Sequence, residues 1–394
     1  MEELRDPSAE RSGLNQTSAL TPSTRSLVAV NPPPDRVVPF GYAIASAFPG
    51  WFIALKSSRF GQSGKRSGAT TQISFTKRKK IMALDLAGLY QRLQAEQRPV
   101  LPSGEHRAVV GCGYVGRRLV SGWSDDGHTV TATTRRDSRL HQLRYQVDQA
   151  VLFDSEANSN DLSFVNDVDV LVVSLAPTGQ QHVCVEAYES VYSRGVEMLC
   201  DGIANRQSSR PLQIIHLSSC GLYGNRNGAL TSEQMGLDLN HPVNALLAGA
   251  EQQIQSLRSE VVNVCTLRLG GIYGPDREIP EWLVAAAGQC VERNGDHVPC
   301  WVHVDDVVQA VNLAAGEKLN TTLNVVDDIK LSKRAITDQL CEAIGCAPVI
   351  WTGSSQDDRI LHAAVSNQSL KDLGFELQHP SMLQWYLNRR AASV

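Results

Sequence analysis

Gly111-Cys112-Gly113-Tyr114-Val115-Gly116 stands between an apolar run, Arg107-Ala-Val-Val110, and a helix-like segment, Arg117-Arg-Leu-Val-Ser-Gly-Trp123. A strand, a G-x-G-x-x-G turn and a helix start in that order make a dinucleotide-binding fingerprint. Gly111 permits the tight turn, Gly113 lets backbone N–H groups approach a pyrophosphate, and Gly116 lets the helix pack close to the strand. Tyr114 and Val115, between them, belong to the same cofactor surface. The helix start adds unpaired N–H groups and the positive end of its dipole. Glycine turns are common, so the motif takes its meaning from these flanks.

Downstream, His128-Thr-Val-Thr-Ala-Thr-Thr134 reads as a second strand dominated by β-branched residues. NAD-specific sites carry an Asp or Glu near the end of this strand. Here the chain has Thr133-Thr134-Arg135-Arg136. Two planar guanidinium groups suit a 2′-phosphate, which favours NADP(H), with NAD as the alternative. A solvated arginine pair is the reading without function. A third strand over 149–153 ends at Asp154. The fourth, over 169–174, is the continuous apolar run of a strand buried on both faces, and it leads into Leu175-Ala176-Pro177. A helical segment from about Cys184 to Ala204 precedes a fifth strand, over 212–217, and then Ser218-Ser-Cys-Gly-Leu-Tyr-Gly224. This alternation predicts an α/β fold with a doubly wound parallel sheet.

The second half begins with a strand over 261–269 and the turn Gly270-Gly-Ile-Tyr-Gly-Pro275. Arg277, on the exposed turn that follows, is the cation to test against an anionic substrate. Pro280–Ala287 reads as a helix, and Pro299-Cys-Trp-Val-His-Val-Asp-Asp-Val-Val308 as a strand entering a helix with Asp305 as its N-cap. His303 alternates with apolar residues, so it either faces the cleft on the substrate side or is a satisfied half-buried histidine. A strand and turn over 324–328 and an amphipathic helix from Ser332 to Gly345 follow.

In order, GCGYVG, FDS, SLAP, LSSCGLYG, LRLGGIYGP and WVHVDDV resemble the extended short-chain dehydrogenase/reductase superfamily of epimerase/dehydratase type, over about residues 107–390. Among its atypical members the YeeZ-like subgroup is the nearest in pattern. The resemblance implies a Rossmann sheet over 82–270 with a smaller C-terminal substrate lobe over 271–394, the lobe interleaved with the last sheet strands. It also implies that Asp154 hydrogen-bonds the adenine and that Leu175 and Ala176 line the cofactor. Gly271, Ile272 and Tyr273 would close on the nicotinamide, and Ser219 would be the active-site hydroxyl. The chain departs from the family's T-G-x-x-G-x-x-G in having Val110 at the first glycine of that pattern.

A larger departure concerns the Tyr-x-x-x-Lys pair that the family carries about 25 residues after the serine. A phenol titrating near 10 needs a nearby cation to serve as acid or base at neutral pH. No tyrosine occurs between Tyr223 and Tyr273, and no lysine between Lys80 and Lys318. Ser219, Tyr223 and Tyr273 are the local substitutes, with Tyr223 either a displaced acid or a tyrosine packing the loop. Cys220 is either a reactive thiol or a small buried filler. The expected function is an NAD(P)-binding oxidoreductase or epimerase-like enzyme, NADP(H) favoured. The alternative is a non-catalytic NADP(H) sensor or scaffold.

Composition supports a soluble globular protein. The 394 residues are 42% hydrophobic and 20% charged. Nine scattered cysteines without a C-x-x-C pair argue against disulfide scaffolds and zinc ribbons, and no metal site is expected. Residues 1–81 hold twelve Lys/Arg against five Asp/Glu, leaving 25 against 36 from Met82 on. That acidic remainder excludes the basic footprint of a nucleic-acid binder, so a small-molecule substrate is expected, with a homodimer allowed. The Ser/Thr-rich, basic segment 1–81 is read either as a targeting extension, to a plastid or other organelle, or as sequence ahead of a start at Met82 in a cytoplasmic protein. The uncharged run Val37–Leu55 is interrupted by Pro and Gly, which argues against a membrane span. An amphipathic helix is expected over 84–96.

Overall fold

Seven of the apolar runs enter one sheet. They are β1 (His106–Val110), β2 (Thr129–Thr134), β3 (Gln149–Leu152), β4 (Val170–Val173), β5 (Leu212–Ser219), β7 (Val262–Leu269) and β11 (Thr322–Val325). Every pairing is parallel, in the order β11-β7-β5-β4-β1-β2-β3. This computed structural model describes residues 104–177, 183–355 and 360–392. The extension over 1–81, its uncharged run and the helix expected over 84–96 lie outside the described residues.

Alternate strand residues face opposite sides, and each side is roofed by helices. The longer helices are α1 (Tyr114–Asp125), α2 (Asp137–Leu143), α3 (Val196–Ala204), α4 (Pro242–Gln255), α5 (Val304–Gly316), α6 (Lys333–Ile344) and α7 (Met382–Ala392). Val109, Val172, Ile215 and Leu267 pack under Leu119 and Trp123 of α1 and Val307 and Val311 of α5. Val110, Leu171, Ile214 and Val264 pack under Leu199 of α3 and Leu247 and Ile254 of α4. Each such aliphatic side chain contributes about 1.5–3 kcal/mol when fully buried. The Trp123 indole N–H donates to Asn312 Oδ1 at 2.8 Å, tying α1 to α5.

The doubly wound sheet is thus the one expected, with differences at its seams. The β3 and β4 strands stop one residue early, at Leu152 and Val173. The helical segment 184–204 is broken into Val185–Glu189, a π-helical turn over Ser190–Gly195, and α3. A Cβ on Gly195 would lie 3.0 Å from Ser155 Cβ, so the widened turn sits close against the chain leaving β3.

Three two-stranded parallel pairs make the smaller lobe: β6 (Asn225–Thr231) with β13 (His362–Val365), β8 (Gly271–Tyr273) with β10 (Trp301–His303), and β9 (Cys290–Arg293) with β12 (Ile350–Ser355). Lobe and sheet are interleaved along the chain: β11, after residue 270, joins the main sheet, and β6, before it, pairs with β13.

Sheet and lobe meet at a buried polar network. Arg268 of β7 grips Glu251 of α4 with Nη2 to Oε2 at 2.7 Å and Nε to Oε1 at 3.0 Å, and Ser218 Oγ donates to the same Oε1 at 2.6 Å. Arg268 Nη1 donates to the Tyr223 hydroxyl at 3.0 Å, which donates to Asn324 Oδ1 at 2.8 Å. Glu251→Gln leaves the Arg268 charge buried without its counter-ion and should lower unfolding free energy by about 3–5 kcal/mol in urea titration. Gly116→Ala would put a methyl 3.0 Å from Val109 Cγ1 and 3.1 Å from Gly111 O. The same titration should show a loss of about 1–3 kcal/mol.

Candidate functional site

Strand order reverses beside β1, whose neighbours β4 and β2 lead away in opposite directions. A crevice must open there, outside the carboxyl ends of the strands. It is a cleft of about 670 Å³. Gly111 forms its floor at φ +94°, where a Cβ would lie 2.5 Å from Ser174 O, so β1 and β4 approach as only glycine allows. The turn is pinned to β2: Gly111 N–H donates to Thr133 Oγ1 at 3.0 Å and Cys112 N–H to Thr133 O at 2.9 Å. A Cβ on Gly113 would meet nothing closer than Gly111 O at 4.0 Å, so the backbone before α1 faces open space. That is the cradle a pyrophosphate needs, and these residues fit a dinucleotide.

Of the residues singled out in the sequence, Gly111, Gly113, Tyr114, Thr134, Arg135, Arg136, Leu175 and Ala176 line the cleft, and Arg277 joins them from the lobe. Arg277 and Arg118 both lie over the Tyr114 ring, 5.1 Å and 4.3 Å from its centroid. The Tyr114 hydroxyl donates to Pro275 O at 2.7 Å, fastening the glycine turn to the lobe. Val115 and Gly116 stand behind the wall, Val115 in the core and Gly116 against β1.

The structure adds residues that the motif reading missed. Arg139, in the first turn of α2, reaches the cleft alongside Arg135 and Arg136. Its spacing of three and four from them was the available signal. Arg139 also shares a small adjoining recess with Arg117, Cys112, Thr134 and Gln142. Burial pushes the Cys112 thiol up, with Arg139 and Arg117 opposing. Phe153, Ser155 and Val191 complete the far wall, the last delivered by the π-helical turn.

Other expected residues stand elsewhere. Asp154 borders a neighbouring groove with Asn160, and its Oδ1 accepts from Glu156 N–H at 3.1 Å. Ser219, at the end of β5, accepts from Gly221 N–H at 3.0 Å, which leaves its hydroxyl hydrogen to donate. Tyr223 is turned into the core with both sides of its hydroxyl engaged, and burial pushes its pKa up to about 12 against the pull of Arg268. Of its two readings, the packed one matches this placement. Cys220 is likewise buried, its Sγ 3.1 Å from Arg268 O. Gly271 and Ile272 do not border the cleft, and Tyr273 is buried with its hydroxyl donating to His379 O at 3.3 Å. His303 is buried rather than cleft-facing, and it, not Asp305, caps α5. Its Nδ1 accepts from Asp305 N–H at 3.2 Å, because the helix begins two residues earlier than expected. Asn244 and Ala248, where the resemblance puts the Tyr and Lys, lie on α4, with Asn244 buried.

No helix among the described residues is long and apolar enough to cross a membrane. No curated protein matches the chain. Solved structures share the fold. MoeE5 in complex with UDP-glucuronic acid and NAD is 20% identical, with a TM-score of 0.58 over 73% of this chain and 99% of that one. UDP-N-acetylglucosamine 4-epimerase from Methanobrevibacter ruminantium M1 is 17% identical, with 0.57 over 73% and 99%. UDP-glucuronic acid 4-epimerase from Bacillus cereus is 17% identical, with 0.57 over 71% and 96%. A model of the NAD dependent epimerase/dehydratase family matches residues 108–325, more than half of the sequence, from the strand before the glycine turn to the last strand of the sheet. The chain belongs to the NAD dependent epimerase/dehydratase family.

Proposed function

We propose that the chain binds NADP(H) in the switch-point cleft and acts as an oxidoreductase or epimerase on a nucleotide-linked sugar. The observation that carries this reading is the convergence of Arg135, Arg136 and Arg139 on the cleft just past β2. NAD sites place an acid there to accept from the ribose hydroxyls, whereas guanidinium groups bind a phosphate. Two of the similar structures are described as holding NAD with a UDP-sugar. The arginines are what move the preference in this chain to NADP(H).

Gly113 and the start of α1 would hold the pyrophosphate, and Leu175 and Ala176 the apolar face beneath it. The nicotinamide, when bound, supplies the hydride chemistry. Arg277, held over Tyr114, offers a planar cation for a substrate diphosphate or carboxylate. Ser219 donates its hydroxyl hydrogen to a substrate oxygen. The engaged Tyr223 and the absence of tyrosine and lysine from α4 favour a second reading, a non-catalytic NADP(H)-binding sensor.

Fluorescence titration with NADPH and NADH separates the cofactor claims. Arg135→Ala/Arg136→Ala should weaken NADPH at least about tenfold, the value of one charge-assisted hydrogen bond, and leave NADH nearly unchanged. Tighter NADH binding by the parent protein would overturn the preference. Turnover of a UDP-sugar panel, abolished by Ser219→Ala with cofactor affinity retained, is the result expected of the enzyme. Tight cofactor binding with no turnover across the panel would leave the sensor.

A further inference from the structure

Two cysteines outside the cleft are brought together by the way α6 ends. Gly345 follows the helix at φ +72°, a conformation glycine adopts without strain. Gly345 N–H donates to Glu342 O at 3.2 Å, and Cys346 N–H donates to Cys341 O at 2.9 Å. These two bonds make a Schellman motif, whose outer positions, here 341 and 346, bring their side chains into contact. Apolar residues ordinarily fill that pair. This chain has cysteine at both, and the two thiols are hydrogen-bonded to each other. We propose that Cys341 and Cys346 are a modification site for small-molecule disulfides of the glutathione class, which close the pair into a disulfide across the end of α6.

The backbone bond from 346 to 341 keeps the two Cα atoms inside the span a disulfide allows, about 4.4–6.8 Å. The thiols are unequal in access: Cys346 is half-buried, whereas Cys341 is 1% exposed. Cys346, its proton lost to solvent, attacks one sulfur of the small disulfide, whose S–S bond breaks, and the departing thiolate takes up a proton. Cys341 then attacks the Cys346 sulfur and releases the second small thiol. Two protein thiols and one small disulfide thus become one protein disulfide and two small thiols, and the small disulfide is itself the oxidant.

The surroundings set the order of the two attacks. Burial, then the Cys346 thiol and Asp338, push the Cys341 pKa up to about 11, against the Val349 N–H. Cys341 therefore stays protonated while Cys346 is unmodified, and attack begins at Cys346. Capping Cys346 removes its contribution, and closure needs no reagent to reach the buried sulfur. Cys220 and Cys300 are the contrasting pair. Their thiols also meet, but they are 0% and 3% exposed, so a reagent of that size reaches neither. Closure at α6 fixes the cap from which the chain enters β12. Pro348 O there accepts from Gly288 N–H at 3.1 Å, and Ile350 N–H donates to Gln289 O at 2.9 Å, so the seam between β9 and β12 is joined to it.

Incubating the full chain with oxidised glutathione, then alkylating without reduction, tests this. Trypsin releases residues 335–359 as one peptide carrying both cysteines. A peptide about 2 Da lighter than its thiol form and untouched by the alkylating reagent is expected, and dithiothreitol should restore both thiols. The ratio of closed pair to glutathione adduct should be at least about tenfold higher for the folded chain than for the chain in urea, because only the cap holds the sulfurs together. Cys341→Ser should keep glutathione on Cys346, and Cys346→Ser should leave Cys341 unmodified. Two alkylated cysteines in the oxidised parent, a stable glutathione adduct at its Cys346, or an equal ratio in urea would overturn the proposal.

Discussion

A buried charge cannot stand alone, and the Arg268–Glu251 pair is where this fold meets that constraint. Arg268 sits in a central strand and Glu251 on the helix above it, both nearly inaccessible to water. Each of the remaining donors and acceptors must then find a partner, and the search runs outward through Ser218, Tyr223 and Asn324. Asn324 N–H donates to Glu233 Oε1, and Ser369 donates to the other oxygen of Glu233. One ionic contact thereby sets the relative position of sheet, helix and lobe. Such pairs add little net stability over apolar residues, but losing one partner is costly.

The two ends of the site differ in how rigidly they are defined. The phosphate end rests on backbone geometry: a glycine forced to positive φ, a turn bonded to the second strand, and an uncapped helix start. The end near Ser219 rests on side chains. There the nearest tyrosine, Tyr223, is consumed by the polar network.

Much of the fold was legible because parallel strands buried on both faces leave continuous apolar runs, and glycine at 111, 113 and 116 has specific steric work. The arginines after β2 were legible as charges replacing an acid. Arg139 was missed because it lies inside the next helix, where helical spacing rather than motif proximity brings it round. The placement of Tyr223 was not legible, because a tyrosine after a strand can turn either way until its partners on β7 and β11 are known. Asp305 looked like a cap by residue type alone, yet the helix starts earlier and His303 takes that role. The pairing of β6 with β13 carries no local signal, since it joins segments more than a hundred residues apart.

That last pairing bears on how the protein is made. A ribosome releasing the chain from its N-terminal end delivers every strand of the main sheet by Val325, whereas β12 and β13, which complete two pairs of the lobe, come only afterwards. Until they emerge, β6 and β9 present unpaired edges, the kind of surface that promotes association between nascent chains. The lobe is therefore the late and vulnerable part of synthesis. Truncations near the C-terminus should fail there first, leaving the nucleotide-binding sheet with all its strands.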